Sequence, residues 1–347
     1  MQTIQPAVTV VVVNYNRRDL LRNCLESLMR QQTVAIEIIV VDNGSDDGSV
    51  KMMEDDFQGS SFYPLRIIAN PDNRGFCEAN NQGFAVARGE FLALLNNDAE
   101  AAPQWVASLV EVFANPEVGM AASKVLVYED STRIDKVGHL IYLDGQNRGR
   151  GTGQRDHGQY DRMEEVLWPD GCAAMYRRSM IEQIGGFDED FFAYADDAEL
   201  GLRARIAGWR CVYVPAAAVR HHRGTTLGLR STRRVELIER NRVLLVAKLF
   251  PWSLLWLNGV FYAIRMGAGL WAAIRGKGEI SRYPGWKNKI RVAMALLKGD
   301  WEAMWMLPRI LRKRREVNRY RKLTPRQVRQ LLLRYRISLK ELSQQAI

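Results

Sequence analysis

The sequence predicts an α/β protein in which a Rossmann-like, mostly parallel sheet is flanked by helices and followed by a basic helical extension. Four short apolar runs alternate with helix-periodic segments over the first hundred residues, and such alternation is typical of a doubly wound parallel sheet. Residues 220–347 hold 29 Lys and Arg against 7 Asp and Glu, whereas residues 1–219 hold the other 20 basic and 32 acidic residues. The charge therefore separates an acidic domain, predicted over residues 1–230, from a basic region at 231–347.

Apolar periodicity assigns the elements in order. Buried strands of a parallel sheet are short uninterrupted apolar runs, and these occur at residues 8–13, 36–41, 65–69, 91–95, 118–127 and 211–214. Amphipathic spacing predicts helices at residues 18–31, from 46 onward, 74–88, 103–114, 179–184, 200–207, 287–298 and 308–322. The Gly- and Arg-rich segment 130–165 is either a functional loop or a mobile one, and the sequence does not separate the two.

Polar residues follow each of the first four strands. Ligands of open α/β sheets bind beyond the carboxyl ends of the strands, so Asp42 is a candidate for contacting a base or ribose. Amides near residues 73–75, at a helix start, are candidates for contacting phosphate. Asp98 is a candidate for holding a divalent cation. Asn, Asp and Gly also serve ordinary turns, which remains the alternative for each site. No G-x-G-x-x-G follows the first strand, which disfavours a dinucleotide dehydrogenase.

A second acidic stretch precedes the helix predicted at 200–207. Asp196 and Asp197 lie among aromatic residues there. Such carboxylates either cap the helix or supply a general base whose pKa is tuned by its surroundings. The pair His221-His222 is either structural or a source of a metal ligand.

The four cysteines are scattered, with no C-x-x-C pair. This spacing argues against a zinc cluster or a disulfide framework and favours a reducing cytosol. The N-terminal residues lack the basic and apolar regions of a secretory signal, so none is expected.

The basic extension contains a Trp-rich apolar segment at residues 243–274. Its longest uncharged run, 249–264, has sixteen residues, fewer than the about twenty that a spanning helix needs. Trp and Tyr flanked by Arg and Lys favour an anionic membrane surface. The alternatives are packing on the preceding domain or on a second copy, as a homodimer. Nucleic acid is not an expected partner, because no nucleic-acid module accompanies the basic residues.

Several segments together resemble a known family. V-V-V-N-Y-N, V-V-D-N-G-S, N-R-G-F-C-E-A-N-N, F-L-A-L-L-N-N-D and F-F-A-Y-A-D-D-A-E-L appear in the order and spacing of family 2 glycosyltransferases with the GT-A fold. The resemblance covers residues 7–225 and is greatest to bacterial rhamnosyltransferase-like members that build surface polysaccharides.

The resemblance implies roles for individual residues. Asp197 matches the catalytic base of an E-D motif, with Asp196 before it. Asp98 matches the last acid of the D-x-D metal motif, and His221 matches a histidine that completes the metal–diphosphate site, with His222 as the alternative. The remaining implied residues are the donor-side group Asn14, Asn16, Asp42, Asn73, Arg74, Gly75, Asn96 and Asn97, and the acceptor-side group Asp170, Gly171 and Cys172. Asn96 stands where the family often has the first acid of the metal motif.

The resemblance also implies a reaction. We expect inverting transfer of a sugar, with rhamnose favoured, from a dTDP- or UDP-linked donor to a glycan or polyprenyl-linked acceptor, assisted by Mg²⁺ or Mn²⁺. The expected location is the cytoplasm, peripheral on the inner face of the cell membrane. Asn96 leaves open a catalytically inactive, nucleotide-sugar-binding scaffold. A sugar nucleotidyltransferase is a second rival, but residues 14–20 are not Gly-rich, as its phosphate-binding loop would require.

Overall fold

The computed structural model describes most of the chain, namely residues 6–59, 64–223, 228, 231–276, 278, 283 and 285–344. The predicted domain boundary at residue 230 lies outside these residues. The strands are β1 (Val8–Asn14), β2 (Ile36–Asp42), β3 (Leu65–Ala69), β4 (Phe91–Leu95), β5 (Ala99–Ala101), β6 (Val118–Val127), β7 (Ile134–Lys136), β8 (His139–Ile141), β9 (Asn147–Gly149), β10 (Glu164–Glu165), β11 (Ala173–Arg177) and β12 (Arg210–His221).

The helices alternate with these strands and then continue alone. They are α1 (Arg18–Met29), α2 (Ser49–Asp56), α3 (Gly75–Val86), α4 (Trp105–Glu111), α5 (Arg178–Ile184), α6 (Asp196–Ile206), α7 (Thr232–Leu249), α8 (Trp252–Leu255), α9 (Asn258–Ile274), α10 (Trp286–Tyr320), α11 (Pro325–Arg334) and α12 (Leu339–Gln344). Two short 3-10 helices are formed by Val112–Ala114 and Glu189–Phe191.

Ten strands form the main sheet, and eight of them follow the order β10-β12-β6-β11-β4-β1-β2-β3. The first four strands in the chain are mutually parallel, with β1 between β2 and β4. The fold class predicted from the sequence is thereby confirmed. β11 runs antiparallel between β4 and β6. This insertion brings the loop before β11 to the carboxyl end of β4.

Alternate strand residues pack into two apolar layers, one on each face of the sheet. Val10 and Ile38 face a layer formed with α1, α2 and α4. Val11 and Ile39 face the other layer, which contains residues of α3, α6, α7, α10 and α11. Because α7 and α10 complete this second layer, helices of the basic region belong to the same hydrophobic core as the sheet.

Three element boundaries differ from prediction. The helix predicted at 200–207 begins at Asp196, because Tyr194 and Ala195 both have positive φ and turn the chain into the helix early. The strand predicted at 211–214 continues to His221 through an irregularity in its pairing with β6. The helices predicted at 287–298 and 308–322 form one helix, α10, which contains Pro308. Pro308 is on the exposed side of the helix. There water can donate a hydrogen bond to the backbone carbonyl that lacks a partner because proline has no N–H.

The segment 130–165, which the sequence left open, contains four short strands. β7 extends the sheet beside β6, and β8 and β9 pair with each other. Among the described residues, we find no helix that is both long and apolar enough to cross a membrane.

Candidate active site

A cavity of about 400 Å³ lies at the carboxyl edge of the parallel strands. Its floor is formed by residues that follow β1, β2 and β4, and its walls come from the 135–152 segment, the 170–172 and 192–197 loops and the start of α7. Most of the residues predicted for the site line this cavity. Those that line it are Asn73, Gly75, Asn96, Asn97, Asp98, Asp170, Gly171, Cys172, Asp196, Asp197 and His221.

A hydrogen-bonded cluster ties the strand ends together beneath the donor side of the cavity. Asn14 donates from Nδ2 to Asp42 Oδ2 at 2.8 Å and accepts at Oδ1 from Asn97 at 2.7 Å. Asp42 also accepts from the Ser45 backbone N–H and hydroxyl, and only 1% of it is exposed. Asn16 Oδ1 accepts from the next turn, at the Asp46 N–H. Asp42, Asn14 and Asn16 are thus brought together, but they are not among the residues that line the cavity, and their donor contact stays a prediction.

The second donor-side group is split by the structure. Asn73 and Gly75 line the cavity, and Asn73 Oδ1 accepts from the Gly75 N–H at 2.9 Å. Gly75 has φ +84°, and a Cβ there would lie 2.5 Å from the Phe192 ring. Only glycine permits this close approach. Arg74 turns away from the cavity towards Glu78, 2.9 Å from its guanidinium.

Asp98 and His221 meet because their strands are neighbours. Asp98 precedes β5, and β5 pairs with the end of β12 so that Ala99 lies opposite His221. His221 Nε2 is 3.4 Å from Asp98 Oδ1. His222 points elsewhere, stacked on Tyr128 with its ring centroid 3.5 Å away. The structure therefore places His221, and not His222, beside the predicted metal-binding carboxylate.

A buried carboxylate orients His221. Asp135 is fully buried and its Oδ2 lies 2.7 Å from His221 Nδ1, while Oδ1 accepts from Arg223 at 2.6 Å. Burial would lower the pKa of His221, but Cys172, Asp135 and Asp98 outweigh it and raise that pKa well above its ordinary value. Cation binding at His221 Nε2 would therefore release a proton.

The donor set of this pair suits a divalent cation. An imidazole whose second nitrogen is held by a carboxylate is a common arrangement at metal centres, because the partner fixes the ring and increases its basicity. Mg²⁺ and its relatives are often held by one or two carboxylates together with substrate phosphates. Asp98 and His221 therefore fit the divalent cation that the resemblance implies.

A second cluster surrounds the predicted base. Asp197 Oδ1 accepts from the Ala198 N–H at 2.7 Å, and its Oδ2 lies 3.4 Å from His139 Nε2. The same imidazole nitrogen is 2.8 Å from Asp170 Oδ2, which also accepts from Lys136 at 2.7 Å. The cluster thus joins the start of α6 to the acceptor-side loop and to the 135–139 segment.

Electrostatics distinguish the carboxyl groups of this cluster. Burial and the charge of Asp197 raise the pKa of Asp196 to about 8. Burial also raises the pKa of Asp197, although His139 and Lys136 oppose the rise. Despite burial, Lys136 and His139 hold the pKa of Asp170 well below its ordinary value. Of the adjacent pair, Asp197 is therefore the group that ionises more readily.

His139, Asp170 and Asp197 also offer ligand atoms within 4.8 Å of one another. A cation already occupies this position, because the Lys136 ammonium lies against Asp170. We therefore favour the Asp98–His221 pair as the metal site and assign the His139 cluster to orienting Asp197.

Helix α7 of the basic region contacts the loop that leads to the predicted base, Asp197. Asn241 of α7 is fully buried, and its Nδ2 donates to the carbonyl oxygens of Phe191, Ala193 and Tyr194 at 2.7–2.9 Å. This loop contains the positive-φ residues that start α6 at Asp196. The position of Asp197 therefore depends on a helix outside the segment in which the resemblance lies.

Sequence reasoning missed Asp135, Lys136, His139 and Asn241. The first three lie in the segment whose structure the sequence left open. Apolar residues at every third position, Ile134, Val137 and Leu140, are the signal that could have shown that the polar residues between them belong to an ordered segment. Asn241 had no such signal, because it lies inside a helix of otherwise ordinary composition.

Comparison with known proteins adds the family and the fold. The model of the family "Glycosyl transferase family 2" matches residues 9–185. The O-antigen biosynthesis protein RfbC of Myxococcus xanthus is 28% identical over 256 residues, which are 71% of this chain but 19% of that protein. The N-acetylglucosaminyl-diphospho-decaprenol L-rhamnosyltransferase of Mycobacterium tuberculosis is 28% identical over 250 residues, 63% of this chain and 77% of that protein. The chain thus spans about a fifth of the length of the first of these relatives.

A solved structure shares the fold. The mannosyltransferase PcManGT of Pyrobaculum calidifontis, in complex with GDP-Man and Mn²⁺, superposes with a TM-score of 0.54 over 87% of this chain and 88% of that chain, at 19% identity. At that identity the likeness concerns the fold, which is of the GT-A type.

Proposed function

The chain belongs to glycosyl transferase family 2, and from this premise we propose that it transfers a sugar from a nucleoside-diphosphate donor to a saccharide or lipid-linked glycan, with inversion. The observation that carries the proposal is that the Asp98–His221 pair and Asp197 line one cavity. Asp98 and His221 stand on one side, and Asp197 stands at the start of α6, all lining the same space.

The proposed reaction is one displacement. The acceptor hydroxyl gives its proton to the Asp197 carboxylate, its oxygen bonds to the anomeric carbon, and the bond from that carbon to the diphosphate oxygen breaks. One displacement inverts the configuration, and no carboxylate nucleophile is needed. His139 holds Asp197 in place from the side opposite its bond to the Ala198 N–H.

We assign Mg²⁺ or Mn²⁺ to Asp98 and His221. The ion, when bound, would neutralise charge on the leaving diphosphate. Asp135 keeps the His221 ring oriented, with Nε2 towards Asp98. Asn96 lines the cavity beside this pair and offers a carboxamide oxygen in place of a carboxylate. We expect weaker metal binding than two acids would give, since a neutral ligand attracts the ion less.

We base the proposed donor and acceptor on the family and on the names of its relatives. We favour rhamnose, carried on dTDP or UDP, because a relative named as a rhamnosyltransferase is 28% identical over 250 residues. The name of the same relative supports a lipid-linked glycan as acceptor. We further propose a peripheral location on the cytoplasmic face of the membrane, in cell-surface polysaccharide synthesis.

A second candidate function is a nucleotide-sugar-binding scaffold without turnover, which the Asn96 side chain favours. A thermal-shift assay with dTDP- and UDP-sugars, with and without Mn²⁺, shows whether the protein binds a nucleotide sugar, since a ligand of the folded state raises the melting temperature. Release of nucleoside diphosphate in the presence of an acceptor then separates the enzyme from the scaffold.

We expect one nucleotide class to stabilise the wild type only with Mn²⁺, and Asp98→Asn to lose that effect. Asp55→Asn, an exposed carboxylate change on α2, is the matched control and should behave as the wild type. Stabilisation without any turnover would favour the scaffold. If no nucleotide sugar stabilises the protein, both functions are refuted.

A further inference from the structure

Two helices of the basic region present large apolar side chains to solvent. On α10 these form a row with a spacing of three and four residues over five turns, and α9 carries a second row that is interrupted between Ile264 and Trp271. We call these rows the apolar stripe. Its members, each at least 44% exposed, are Val260, Ile264, Trp271 and Ile274 on α9, and Trp286, Ile290, Met294, Leu297, Trp301 and Trp305 on α10. Soluble monomers rarely expose apolar surface on this scale.

The opposite face of α10 is fixed against the protein. Ala295, Gly299 and Ala303 are buried there, and α7 lies across them. A Cβ at Gly299 would lie 2.5 Å from the carbonyl oxygen of Glu236, so the two helix backbones are in close contact. The helix therefore buries its small residues and exposes its large ones. It cannot rotate the stripe inward without losing this contact.

The charged side chains beside the stripe indicate which kind of partner it could bind. With the exception of Glu316, the exposed charged side chains of α10 are cations, namely Lys287, Lys289, Arg291, Lys298, Arg309, Arg312, Arg315 and Arg319. The two half-buried acids of the helix are directed towards α7 and α9. Asp300 accepts from Tyr262 at 3.1 Å, and Glu302 lies 3.7 Å from Arg233. The solvent side of the helix is thus apolar, aromatic and positive.

We propose that the apolar stripe docks on the surface of an anionic lipid bilayer. Trp favours the headgroup level of membranes, an amphipathic helix can bury its apolar side in that region, and Lys and Arg beside it attract anionic lipids. A second copy of the chain fits less well. In a two-fold contact the same patch meets itself, so its rows of cations would face each other at a cost in free energy.

The stripe is tied to the active-site cavity. Arg265 of α9 pairs with Asp144 and with Glu239, the latter at 3.1 Å. Arg242 of α7 donates to the Asp144 carbonyl oxygen at 2.8 Å. Arg242 and Gly145 line the cavity. A docked protein would therefore hold one cavity wall close to the bilayer. That docking brings the cavity to a lipid-linked acceptor rests on the proposed function, whereas docking itself does not.

The test is co-sedimentation of the full chain with vesicles of phosphatidylcholine alone or mixed with phosphatidylglycerol, without donor. We expect at least tenfold stronger binding to the anionic vesicles. The double change Trp301→Ser and Trp305→Ser should reduce that binding at least tenfold. The control, Met163→Ser, changes a residue that is 55% exposed on the sheet-containing part of the chain and should bind as the wild type does.

Sedimentation velocity without lipid completes the test. Absence of vesicle binding, or equal binding by the double variant, would refute the proposal. A dimer that the double variant dissolves, with no vesicle binding by the wild type, would assign the stripe to a second copy instead. Circular dichroism confirms that each variant is folded. Turnover on a water-soluble acceptor without vesicles is measured separately, so a failed docking test and a failed transferase test are distinguishable.

Discussion

The sheet edge and the α9–α10 surface depart from the usual distribution of residues in opposite ways. At the sheet edge, carboxylates and amides are buried: Asp135 is 0% exposed and Asp170 is 7% exposed. On α10, indole rings are in solvent, and Trp305 is 73% exposed. Buried polar groups and exposed apolar patches are the informative exceptions in a folded protein. Each is costly for the isolated chain, which indicates selection for something other than stability.

The two regions also differ in how they are held. The buried polar groups bond to one another across β1, β2, β4 and the 135–139 segment, so each holds the next in place. The exposed apolar groups contact little, and only the opposite side of their helix is fixed. A change at the sheet edge should therefore alter chemistry, and a change on the outer face of α10 should alter neither chemistry nor folding.

The largest expected effect is at the base. Asp197→Asn removes the proton acceptor while keeping the shape of the side chain, and general-base catalysis typically contributes about 10²–10⁴-fold. We expect kcat to fall about a thousandfold, with the donor affinity unchanged. Steady-state turnover and donor titration measure the two. The exposed Asp55→Asn control should leave kcat as it is. Near-normal kcat in Asp197→Asn would show that another group takes the proton.

The next prediction compares a buried and an exposed aromatic side chain of the basic region. Phe250 is fully buried behind the sheet, and Trp305 is exposed. Phe250→Ala is expected to cost about 3–5 kcal/mol of unfolding free energy through the cavity it leaves. Trp305→Ala should stay within about 0.5 kcal/mol, as an exposed change usually does. Urea denaturation measures both. A large loss in Trp305→Ala would mean that the stripe is covered within the protein itself.

At the proposed metal-binding pair, Asp98 and His221, the residue to test is the buried carboxylate that orients the histidine, Asp135. Asp135→Asn keeps a hydrogen-bonding group beside His221 but removes the negative charge. Changes to such a partner typically cost about 10–100-fold in metal affinity. We expect the Mn²⁺ concentration for half-maximal turnover to rise by a factor in this range, with kcat at saturating Mn²⁺ largely restored. A fall in kcat that no Mn²⁺ concentration restores would indicate a structural role for Asp135 instead.

Most of the fold was predictable from the sequence, because short apolar runs followed by Asn, Asp or Gly are what buried parallel strands require. The antiparallel β11 was less visible, since a strand has the same composition in either direction. Asp98 and His221 were predicted as a pair only by resemblance. Their contact depends on the register of β12 with β5, over 120 residues apart in the sequence, and pairwise register leaves no mark in local composition.

The C-terminal helices show where periodicity alone misleads. Amphipathic spacing indicates which residues of α10 share a face, but it does not say which face is inward. The usual assumption would place Trp301 and Trp305 in the core. The structure buries Gly299 and Ala303 instead, because only small side chains let α10 approach the backbone of α7.

The junction of the two regions gives a pH-dependent prediction. Asp188 of the sheet-containing part is bonded by Lys248 of α7 at 2.6 Å and by Lys313 of α10. These lysines overcome burial and lower the pKa of Asp188 to about 2. A carboxyl whose pKa is lower in the folded state stabilises that state above its unfolded pKa and loses the effect as pH falls towards the folded value.

Asp188→Asn is therefore expected to cost about 2 kcal/mol at pH 7. The difference from wild type should shrink as the pH falls from about 4 to 2. Urea denaturation of both proteins at pH 7 and pH 3 measures it. A loss of the same size at both pH values would mean that packing, and not charge, holds the helices at this point.

The last expected effect has the opposite sign and lies in the active site. Burial and the charge of Asp197 raise the pKa of Asp196 to about 8. In the unfolded chain this carboxyl ionises near pH 4, so its presence destabilises the folded protein increasingly as pH rises from about 4 to 8. Asp196→Asn cannot ionise. It should be more stable than wild type at pH 8, with a smaller gain at pH 5.

Thermal melts at the two pH values measure this gain, and Asp55→Asn again serves as the exposed control. An equal gain at both values would mean that the amide merely packs better than the acid. A gain that grows with pH would show that the folded protein bears a cost to keep two adjacent carboxyl groups in its cavity. Such a cost is expected where a site is arranged for proton transfer. The exposed indoles of α10 likewise carry a free-energy cost, in that case at the surface of the protein.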